Sequence, residues 1–409
     1  MRLFEFRLYA KLATDFVVPR RLIEVRVAIV HDWLNQYGGA EQVLSVLHEM
    51  YPSAPIYTSI YDPDAMPETY RQWDIRTSFM QKLPLVRKHH RPFLPLYPFA
   101  FERFDLSEFD LVISNSSGFC HGVRTQPHTC HINYCLTPPR FVWNLPQYLE
   151  QEKVNAVARR ALPLVNSYLR GGDFAASRRV DYFIAISEAI RERIRKFYQR
   201  ESALIYPPVD TRRFELSSEI EDYFLVVSRL VPYKRVDIVV AAFSQLGLPL
   251  LIAGDGRDRD RLEAMSKPNV RFLGRVAEEE LPKLLARCRA FIFPGEEDFG
   301  IAPLEAQAAG RPVIAYAAGG ALETVVEGAT GRFFLVQRAE ALAEVVRHFD
   351  EKDYDSTAIR RHAQRFDTDV FKEQFGAFVA EKIAEYGSKS LVTAPRGSNV
   401  RQGEDSGQR

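Results

Sequence analysis

The sequence predicts an α/β protein made of two domains, each built around a parallel sheet. Short apolar runs of strand length alternate with segments whose apolar residues recur at helical spacing, and this alternation is typical of parallel sheets. It is interrupted at Pro207 and Pro208, because consecutive prolines stiffen the chain and end any element that reaches them. It then begins again. The length of 409 residues is also long for a single α/β domain.

Each half of the chain has its own series of predicted strands. The first begins with the apolar run VRVAIV at 25–30, followed by a helix over 40–50 in which Val43, Leu47 and Met50 share one face. The further predicted strands span 111–114, 132–134 and 182–186 in the first half, and 223–227, 250–253, 270–273, 290–293 and 313–316 in the second.

These elements predict the following organisation. We expect an N-terminal extension over 1–24, a first domain over 25–206, a second domain over 207–366, a helix over 367–387 that returns to the first domain, and a tail over 388–409. The tail is rich in Ser, Gly, Gln and charged residues, a composition that predicts disorder. Charged residues interrupt the apolar residues of the extension, so we do not expect a secretory signal there.

Composition excludes several classes of protein. The formal net charge is +1, which argues against a dedicated nucleic-acid binder. No apolar run approaches the length needed to cross a bilayer. The cysteines, which are Cys120, Cys130, Cys135 and Cys288, form no CxxC pair, a pattern that favours reduced thiols in the cytoplasm.

The most informative segment is FPGEEDFGIAPLE at 293–305. A strand ends, an acidic loop with a glycine follows, and a helix begins near Pro303, which suits a first turn. Glu297 and Glu305 bracket a site that can accept hydrogen bonds from sugar hydroxyls. The backbone N–H groups of Phe299, Gly300 and Ile301 can hold hydroxyl or phosphate oxygens. The alternative is an acidic first turn that only complements the helix dipole.

Arg229 and Lys234 follow the first strand of the second domain. Ligands of open α/β sheets bind at the carboxyl edge of the strands, where two fixed cations can clamp a diphosphate and stabilise its charge as it leaves. The alternative is ordinary solvated surface charge.

Two further candidates lie in the first domain. Gly38 and Gly39 follow the first strand, and glycines there allow a ligand to approach the backbone and the helix N-terminus. His121 follows the strand at 111–114 and is either a site residue or a satisfied structural histidine. It could also belong to a metal cluster with His128, Cys130, His131 and Cys135, but these spacings match no zinc pattern.

Together these strings resemble the retaining GT-B glycosyltransferases of glycosyltransferase family 4, group 1, whose signature is E-x7-E. Only Glu297 and Glu305 have that spacing; Glu296 and Asp298 do not. The resemblance spans about 25–366 and implies two Rossmann-like domains facing a central cleft, with the donor held by the second and the acceptor by the first.

The family resemblance also implies a role for each candidate. Glu297 would lie at the donor sugar, Glu305 would hold the ribose, and the amides of Phe299, Gly300 and Ile301 would contact sugar and phosphate. Arg229 and Lys234 would clamp the diphosphate near Gly38 and Gly39. His121 would be the active-site histidine, and Gly274, Arg275 and Val276 would border the base. The catalytic set is thus His121, Glu297, Arg229 and Lys234.

Within the family, the string YCLTPPRFVWN at 134–144 is most similar to bacterial mannosyltransferases of polysaccharide assembly, although Leu136 and Asn144 depart from their pattern. We therefore expect a cytoplasmic enzyme that transfers a hexose from GDP-mannose or a UDP-sugar to a glycan or lipid-linked acceptor. No cofactor or metal is expected. The alternatives are a nucleotide-sugar epimerase and an inactive nucleotide-sugar-binding protein.

The segment 76–103 combines cations with apolar residues. The cations Lys82, Arg87, Lys88 and Arg91 are interleaved with Leu83, Leu85, Phe93, Leu94, Leu96, Tyr97 and Phe99. One interpretation is a patch that contacts anionic lipid at the inner face of the cytoplasmic membrane. The other is a proline-broken loop that packs its apolar residues on the domain.

Overall fold

A computed structural model describes residues 25–87, 90–145 and 156–393. It confirms the predicted fold class, because the chain forms two sheets with parallel strands throughout. The predicted extension over 1–24 lies outside these residues, as does the part of the predicted tail after Thr393.

The first sheet has seven strands in the order β3-β2-β1-β4-β5-β6-β7. The strands are β1 (Val27–His31), β2 (Ile56–Thr58), β3 (Ile75–Thr77), β4 (Leu111–Ser116), β5 (Cys130–Cys135), β6 (Tyr182–Ala185) and β7 (Ser202–Leu204). The helices are α1 (Gly39–Met50), α2 (Tyr97–Glu102), α3 (Arg140–Trp143), α4 (Ala156–Ser177) and α5 (Glu188–Tyr198).

The second sheet has six strands in the order β10-β9-β8-β11-β12-β13. They are β8 (Phe224–Val227), β9 (Leu250–Ala253), β10 (Val270–Gly274), β11 (Phe291–Phe293), β12 (Val313–Tyr316) and β13 (Gly331–Phe334). The helices are α6 (Val236–Leu246), α7 (Arg259–Met265), α8 (Leu281–Arg287), α9 (Ile301–Ala308), α10 (Ala321–Thr324), α11 (Ala339–Arg347) and α12 (Ser356–Ala363).

Successive residues of the central strands are buried on opposite faces of their sheet, which is why these strands read as continuous apolar runs. In β1, Ile29 packs into one apolar cluster, while Ala28 and Val30 pack into the cluster on the other face. The predicted strands agree with the observed ones to within about two residues, a normal uncertainty of element ends. The strands β2, β3, β7 and β13, which have only three or four residues each, were not predicted.

The chain passes between the domains twice, and the two passages are hydrogen-bonded to each other. The Val209 N–H donates to the Phe366 carbonyl at 2.9 Å, and the Thr368 N–H donates to the Val209 carbonyl at 3.1 Å. After the second passage, α13 (Thr368–Thr393) packs on the first domain through Phe371 and Phe375.

The predicted start of the tail at Ser388 is wrong, because α13 continues to Thr393. The stretch 388–393 contains no proline, and the next proline is Pro395, so the helix is not interrupted before Thr393 and composition alone misplaced the boundary. Within the part of the chain that is described, no helix is both long and apolar enough to span a membrane.

Candidate active site

The order of the strands explains why distant segments meet at one edge of the second sheet. β8 lies beside both β9 and β11, so the strand order reverses there, and such a switch point is where open α/β sheets bind ligands. The loop after β8 carries Arg229 and Lys234, and the loop after β11 carries Glu297. Both sequence-predicted loops therefore reach the same place.

Lys234 and Glu297 form an ion pair between these two loops. The Lys234 Nζ donates to Glu297 Oε1, and the two side chains are 17% and 22% exposed. The loops approach closely at Gly295, where an added Cβ would lie 3.2 Å from the Lys234 carbonyl oxygen. Because both charged groups keep contact with solvent, each can exchange its partner for a ligand.

The acidic loop then turns sharply into α9. Gly300 adopts φ of 93°, a conformation that disfavours every side chain, and the Phe299 ring stacks on Tyr206 with centroids 5.5 Å apart. The N–H groups of Phe299, Gly300 and Ile301 make no hydrogen bond with other described residues. These unpaired donors at a helix start are suited to bind anionic or hydroxyl oxygens.

Glu305 lies one turn into α9, and its carboxyl group has no hydrogen-bond partner among the residues of the three described ranges. Burial raises the pKa of Glu305 to about 6; the nearby Arg213 lowers the pKa and Glu278 raises it further. The Glu305 side chain keeps partial exposure, so a ligand can reach its carboxylate and donate hydrogen bonds to it. The role of Glu305 as an acceptor for hydroxyl groups stays a prediction.

Across the cleft, the glycine turn of the first domain touches the start of α9. A Cβ placed on Gly39 would lie 2.9 Å from Ile301 Cδ1, so a larger residue there would have to displace the end of the Ile301 side chain. Arg229 also reaches across, since its Nη1 donates to Gln36 Oε1 at 2.9 Å and its Nη2 donates to the Tyr233 hydroxyl at 3.1 Å. The structure therefore brings Gly38 and Gly39 to the predicted donor loops.

The segment Gly274, Arg275 and Val276 lies further away along the sheet edge. It follows β10, the outer strand, two places from β8. Gly274 has φ of 70°, and its carbonyl accepts the Gly254 N–H at 2.7 Å. Contact of this segment with a base stays a prediction.

His121 is buried rather than exposed in the cleft. It lies in a single turn, Cys120–Gly122, and is 1% exposed. Its Nε2 is 3.3 Å from Asp173 Oδ1 of α4, and the other oxygen of Asp173 accepts from Trp143 Nε1 at 2.7 Å. Neither His121 Nε2 nor Asp173 Oδ1 has a hydrogen-bond partner of good geometry among the described residues. His121 is therefore buried but not satisfied as the structural alternative requires, and its catalytic role stays a prediction.

No group of three metal-binding side chains comes together within the ranges that are described. The sequence left open a metal cluster that includes His121 and His131. His131 instead has a partner inside the sheet, because its Nε2 lies 2.8 Å from the Ser114 hydroxyl. Burial lowers the pKa of His131 to about 3, so this imidazole stays neutral at physiological pH.

The sequence did not identify Asp32 as important for the site. Its buried carboxylate accepts the N–H groups of Ser117, Gly118 and Cys120 at 2.6, 2.7 and 2.8 Å. Three such bonds fix the loop that precedes His121. The residues lie more than eighty positions apart, so the motif HDW at 31–33 gave no signal of this contact.

Two further carboxylates that the sequence did not single out join the domains. Asp298 forms ion pairs with Arg140 and Arg193 of the first domain. Glu323 accepts the Glu188 N–H at 3.0 and 2.9 Å, so a carboxylate of the second domain occupies the positive N-terminal end of α5.

Most apolar residues of the segment 76–103 pack on the first domain, as the second of the two interpretations expects. Tyr97 is fully buried, and Leu83, Phe93, Leu94 and Leu96 pack against an apolar cluster of the first domain. These residues do not form the predicted surface patch, because the turns over 91–102 direct them at the core. Leu85 and Phe99 are 72% and 48% exposed. Lys88 and the side chain of Arg91 lie outside the described residues.

Two α/β domains whose switch points face each other across a cleft, with cations and carboxylates at the edge of the second sheet, define a GT-B glycosyltransferase. Residues 37–213 match the family model described as Glycosyltransferase Family 4. Residues 209–366 match the model described as Glycosyl transferases group 1. The two matches together cover most of the chain, which belongs to the family 4, group 1 glycosyltransferases.

Curated relatives share part of the chain. A GDP-mannose-dependent monoacylated alpha-(1-6)-phosphatidylinositol monomannoside mannosyltransferase of Corynebacterium glutamicum is 37% identical over 29% of this chain and 35% of its own length. The O-antigen chain mannosyltransferase RfbU of Salmonella typhimurium is 24% identical over 50% of this chain and 61% of its own length. The matched segments thus span less than two thirds of either relative.

The fold agrees with solved structures over nearly its whole length. The Anabaena Alr3699/HepE protein in complex with UDP superposes with a TM-score of 0.65 at 19% identity, covering 87% of this chain and all of the Anabaena chain. At this identity the similarity establishes the fold.

Proposed function

We propose that this chain is a retaining mannosyltransferase that moves mannose from GDP-mannose to a glycan or polyprenyl-diphosphate-linked acceptor in cell-surface polysaccharide assembly. The observation that supports it most is the Lys234–Glu297 pair at the switch point, beside Arg229 and the free N–H groups at the start of α9. The choice of GDP-mannose rests on the mannosyltransferases among the relatives.

The geometry suggests how a donor would bind. The diphosphate would take Lys234 away from Glu297 and add Arg229, since both cations are accessible to solvent. Glu297 would then be free to accept hydrogen bonds from the sugar, and Glu305 would accept from the ribose hydroxyls. One cation thus moves from a protein carboxylate to the leaving group, where its charge stabilises the transition state.

The proposed transfer proceeds on one face of the sugar. The bond between the anomeric carbon and the diphosphate oxygen breaks as the acceptor oxygen bonds to the same carbon. The departing diphosphate takes the proton of the acceptor hydroxyl, and the sugar passes through an oxocarbenium-like state. The chain's own work is positioning and electrostatic stabilisation, and no metal is required.

A UDP-sugar donor is the second candidate, favoured by the structurally similar Anabaena protein, which is in complex with UDP. A donor screen separates the candidates. Purified protein is incubated with GDP-mannose and a set of UDP-sugars, with and without polyprenyl-linked acceptors, while released nucleotide is measured and the anomeric configuration of the product is read by NMR. GDP release that needs acceptor, with an α-linked product, supports the proposal.

The other outcomes of this screen also have clear meanings. Release of UDP alone would show that the donor is a UDP-sugar and not GDP-mannose. An inverted product would refute retention. A sugar interconverted without acceptor would identify an epimerase, and binding without any turnover would identify a nucleotide-sugar-binding protein.

We also propose a peripheral contact with anionic membrane through 76–103. Arg87 and Leu85 are exposed on one loop, and Phe99 is exposed on the nearby α2. Each cation at an anionic surface adds about 1 kcal/mol of binding free energy. Reversing Lys82, Arg87, Lys88 and Arg91 to Glu should abolish sedimentation with anionic liposomes and leave transfer to a short water-soluble acceptor intact. Wild-type protein that ignores such liposomes at low salt would refute the contact.

A further inference from the structure

Asp298 pairs with residues of the first domain, whereas its neighbour Glu297 pairs with Lys234 of the second. Arg140, at the start of α3, donates from Nε to Asp298 Oδ2 at 3.1 Å, and its Nη2 lies 2.5 Å from Oδ1. Arg193, from α5, donates from Nη1 to the same Oδ1. Both arginines belong to the first domain, so one carboxylate of the donor loop is held by two cations of the opposite domain.

The carboxylate at the centre of this cluster is the most shielded of its three groups. The Asp298 side chain is 15% exposed, that of Arg193 28% and that of Arg140 41%. Burial acts to raise the pKa of Asp298, but Arg140 and then Arg193 outweigh it and hold the pKa below its ordinary value. The carboxylate is therefore ionised at neutral pH. Without it, two partly buried guanidinium groups would face each other unpaired, which is strongly unfavourable.

Three consecutive residues fix the donor loop to three different parts of the molecule. Glu297 pairs with Lys234 of the second domain, Asp298 pairs with Arg140 and Arg193 of the first domain, and the Phe299 ring stacks on Tyr206 near the passage between domains. Asp298 is thus the member of the loop that sets its position relative to the acceptor domain.

We infer that Asp298, Arg140 and Arg193, hereafter the arginine clamp, are positioning residues for transfer. The clamp holds the cleft closed and places the donor sugar within reach of an acceptor bound to the first domain. This inference rests on the proposed transfer reaction and adds residues outside the E-x7-E pair. A displacement of about 1 Å at a reacting centre can cost about a hundredfold in rate, so a loop that loses this anchor should bind donor but transfer poorly.

The test compares Asp298→Asn with Glu296→Gln. Glu296 is an exposed acid of the same loop, so the control removes the same charge without touching the first domain. For Asp298→Asn we expect the dissociation constant for GDP to stay within about twofold of wild type, because Arg229, Lys234 and Glu305 are untouched, while turnover falls by about 50-fold or more. Glu296→Gln should match wild type in both measurements.

Double variants show whether Asp298 acts through the arginines. Adding either Arg140→Gln or Arg193→Gln to Asp298→Asn should lower turnover little further, because the effects of substitutions at interacting residues do not add. Asp298→Glu should recover part of the activity. Thermal unfolding monitored by circular dichroism confirms that each variant is folded.

The distance between the two domains can be measured without any substrate, and it tests whether the arginine clamp holds them together. The cysteines Cys120, Cys130, Cys135 and Cys288 are buried, so spin labels attach selectively at Glu68→Cys in the first domain and Glu340→Cys in the second, both exposed. We expect a narrow distance distribution in the otherwise wild-type protein and a broader, longer one with Asp298→Asn. If no nucleotide sugar is turned over, the proposed function fails while this comparison still decides the clamp.

Two results would overturn the inference. An unchanged distance distribution with unchanged turnover in Asp298→Asn would show that the ion pairs hold nothing relevant to transfer. An equal loss of GDP affinity and turnover would place Asp298 in the nucleotide site itself rather than in a positioning role.

Discussion

The two sides of the cleft hold their charged residues differently. In the second domain, Arg229 is exposed and Lys234 and Glu297 form a pair that solvent can reach. In the first domain, His121 and Asp173 lie in the interior, and so does Asp32. A charge with one accessible partner can exchange it for a ligand at small cost, whereas a buried charge is shielded from ligands by the residues around it. We therefore expect the charged residues of the second domain to act on a ligand, and buried ones such as Asp32 to shape loops.

The largest effect expected from this comparison is on the accessible cations. Lys234→Ala and Arg229→Ala should each lower transfer by about two orders of magnitude or more, the scale of a lost contact to charge that develops in the transition state. Steady-state rates of nucleotide release measure it. Lys267→Ala is the matched control, because Lys267 is an exposed lysine of the same domain. Wild-type rates in both site variants would remove these cations from the mechanism.

A buried carboxylate of the first domain should behave in the opposite way. Asp32→Asn leaves backbone N–H groups without their charged acceptor, which costs about 2–4 kcal/mol, and should lower the melting temperature by about 5 °C or more. Affinity for GDP should change less than about twofold, since the donor loops lie in the other domain. Asp64→Asn, at an 86% exposed aspartate, provides the control. An Asp32→Asn variant that is as stable as wild type but binds no GDP would show that Asp32 acts on the ligand, contrary to the difference proposed between the two sides of the cleft.

The smallest effect concerns the protonation of Glu305. Its pKa of about 6 means that the carboxylate predominates above pH 6 and the neutral acid below it. If the ribose hydroxyls need the ionised form, the affinity for GDP should fall by about tenfold between pH 8 and pH 5. GDP titrates in this range too, so calorimetry must compare wild type with Glu305→Gln. The variant should bind more weakly at pH 8 and show a smaller pH dependence; identical pH profiles would exclude Glu305 from ribose binding.

The two sides of the cleft also differ in how far their residues could be predicted from the sequence. The meeting of Arg229, Lys234 and Glu297 at one sheet edge was predictable because they lie in short strings directly after strands, and topology brings strand ends together. Their action on a donor stays a prediction. The strands β2, β3 and β7 were not predicted, because each has only three residues and, unlike the equally short β11, none of them is entirely apolar. Paired residues such as Arg140 and Asp298 lie 158 positions apart, and no local pattern signals such a contact. The burial of His121 likewise depends on Asp173, on a helix that follows much later in the chain.

Spacing, rather than acidity alone, is expected to select the carboxylates that act on the donor. Glu296 and Glu297 are adjacent acids of one loop, and only Glu297 pairs with Lys234. Turnover of GDP-mannose by Glu297→Gln and Glu296→Gln, with GDP affinity measured in parallel, tests this directly. We expect a loss of about a hundredfold in turnover for Glu297→Gln, with GDP binding retained, and wild-type behaviour for Glu296→Gln. Equal turnover in the two variants would contradict it.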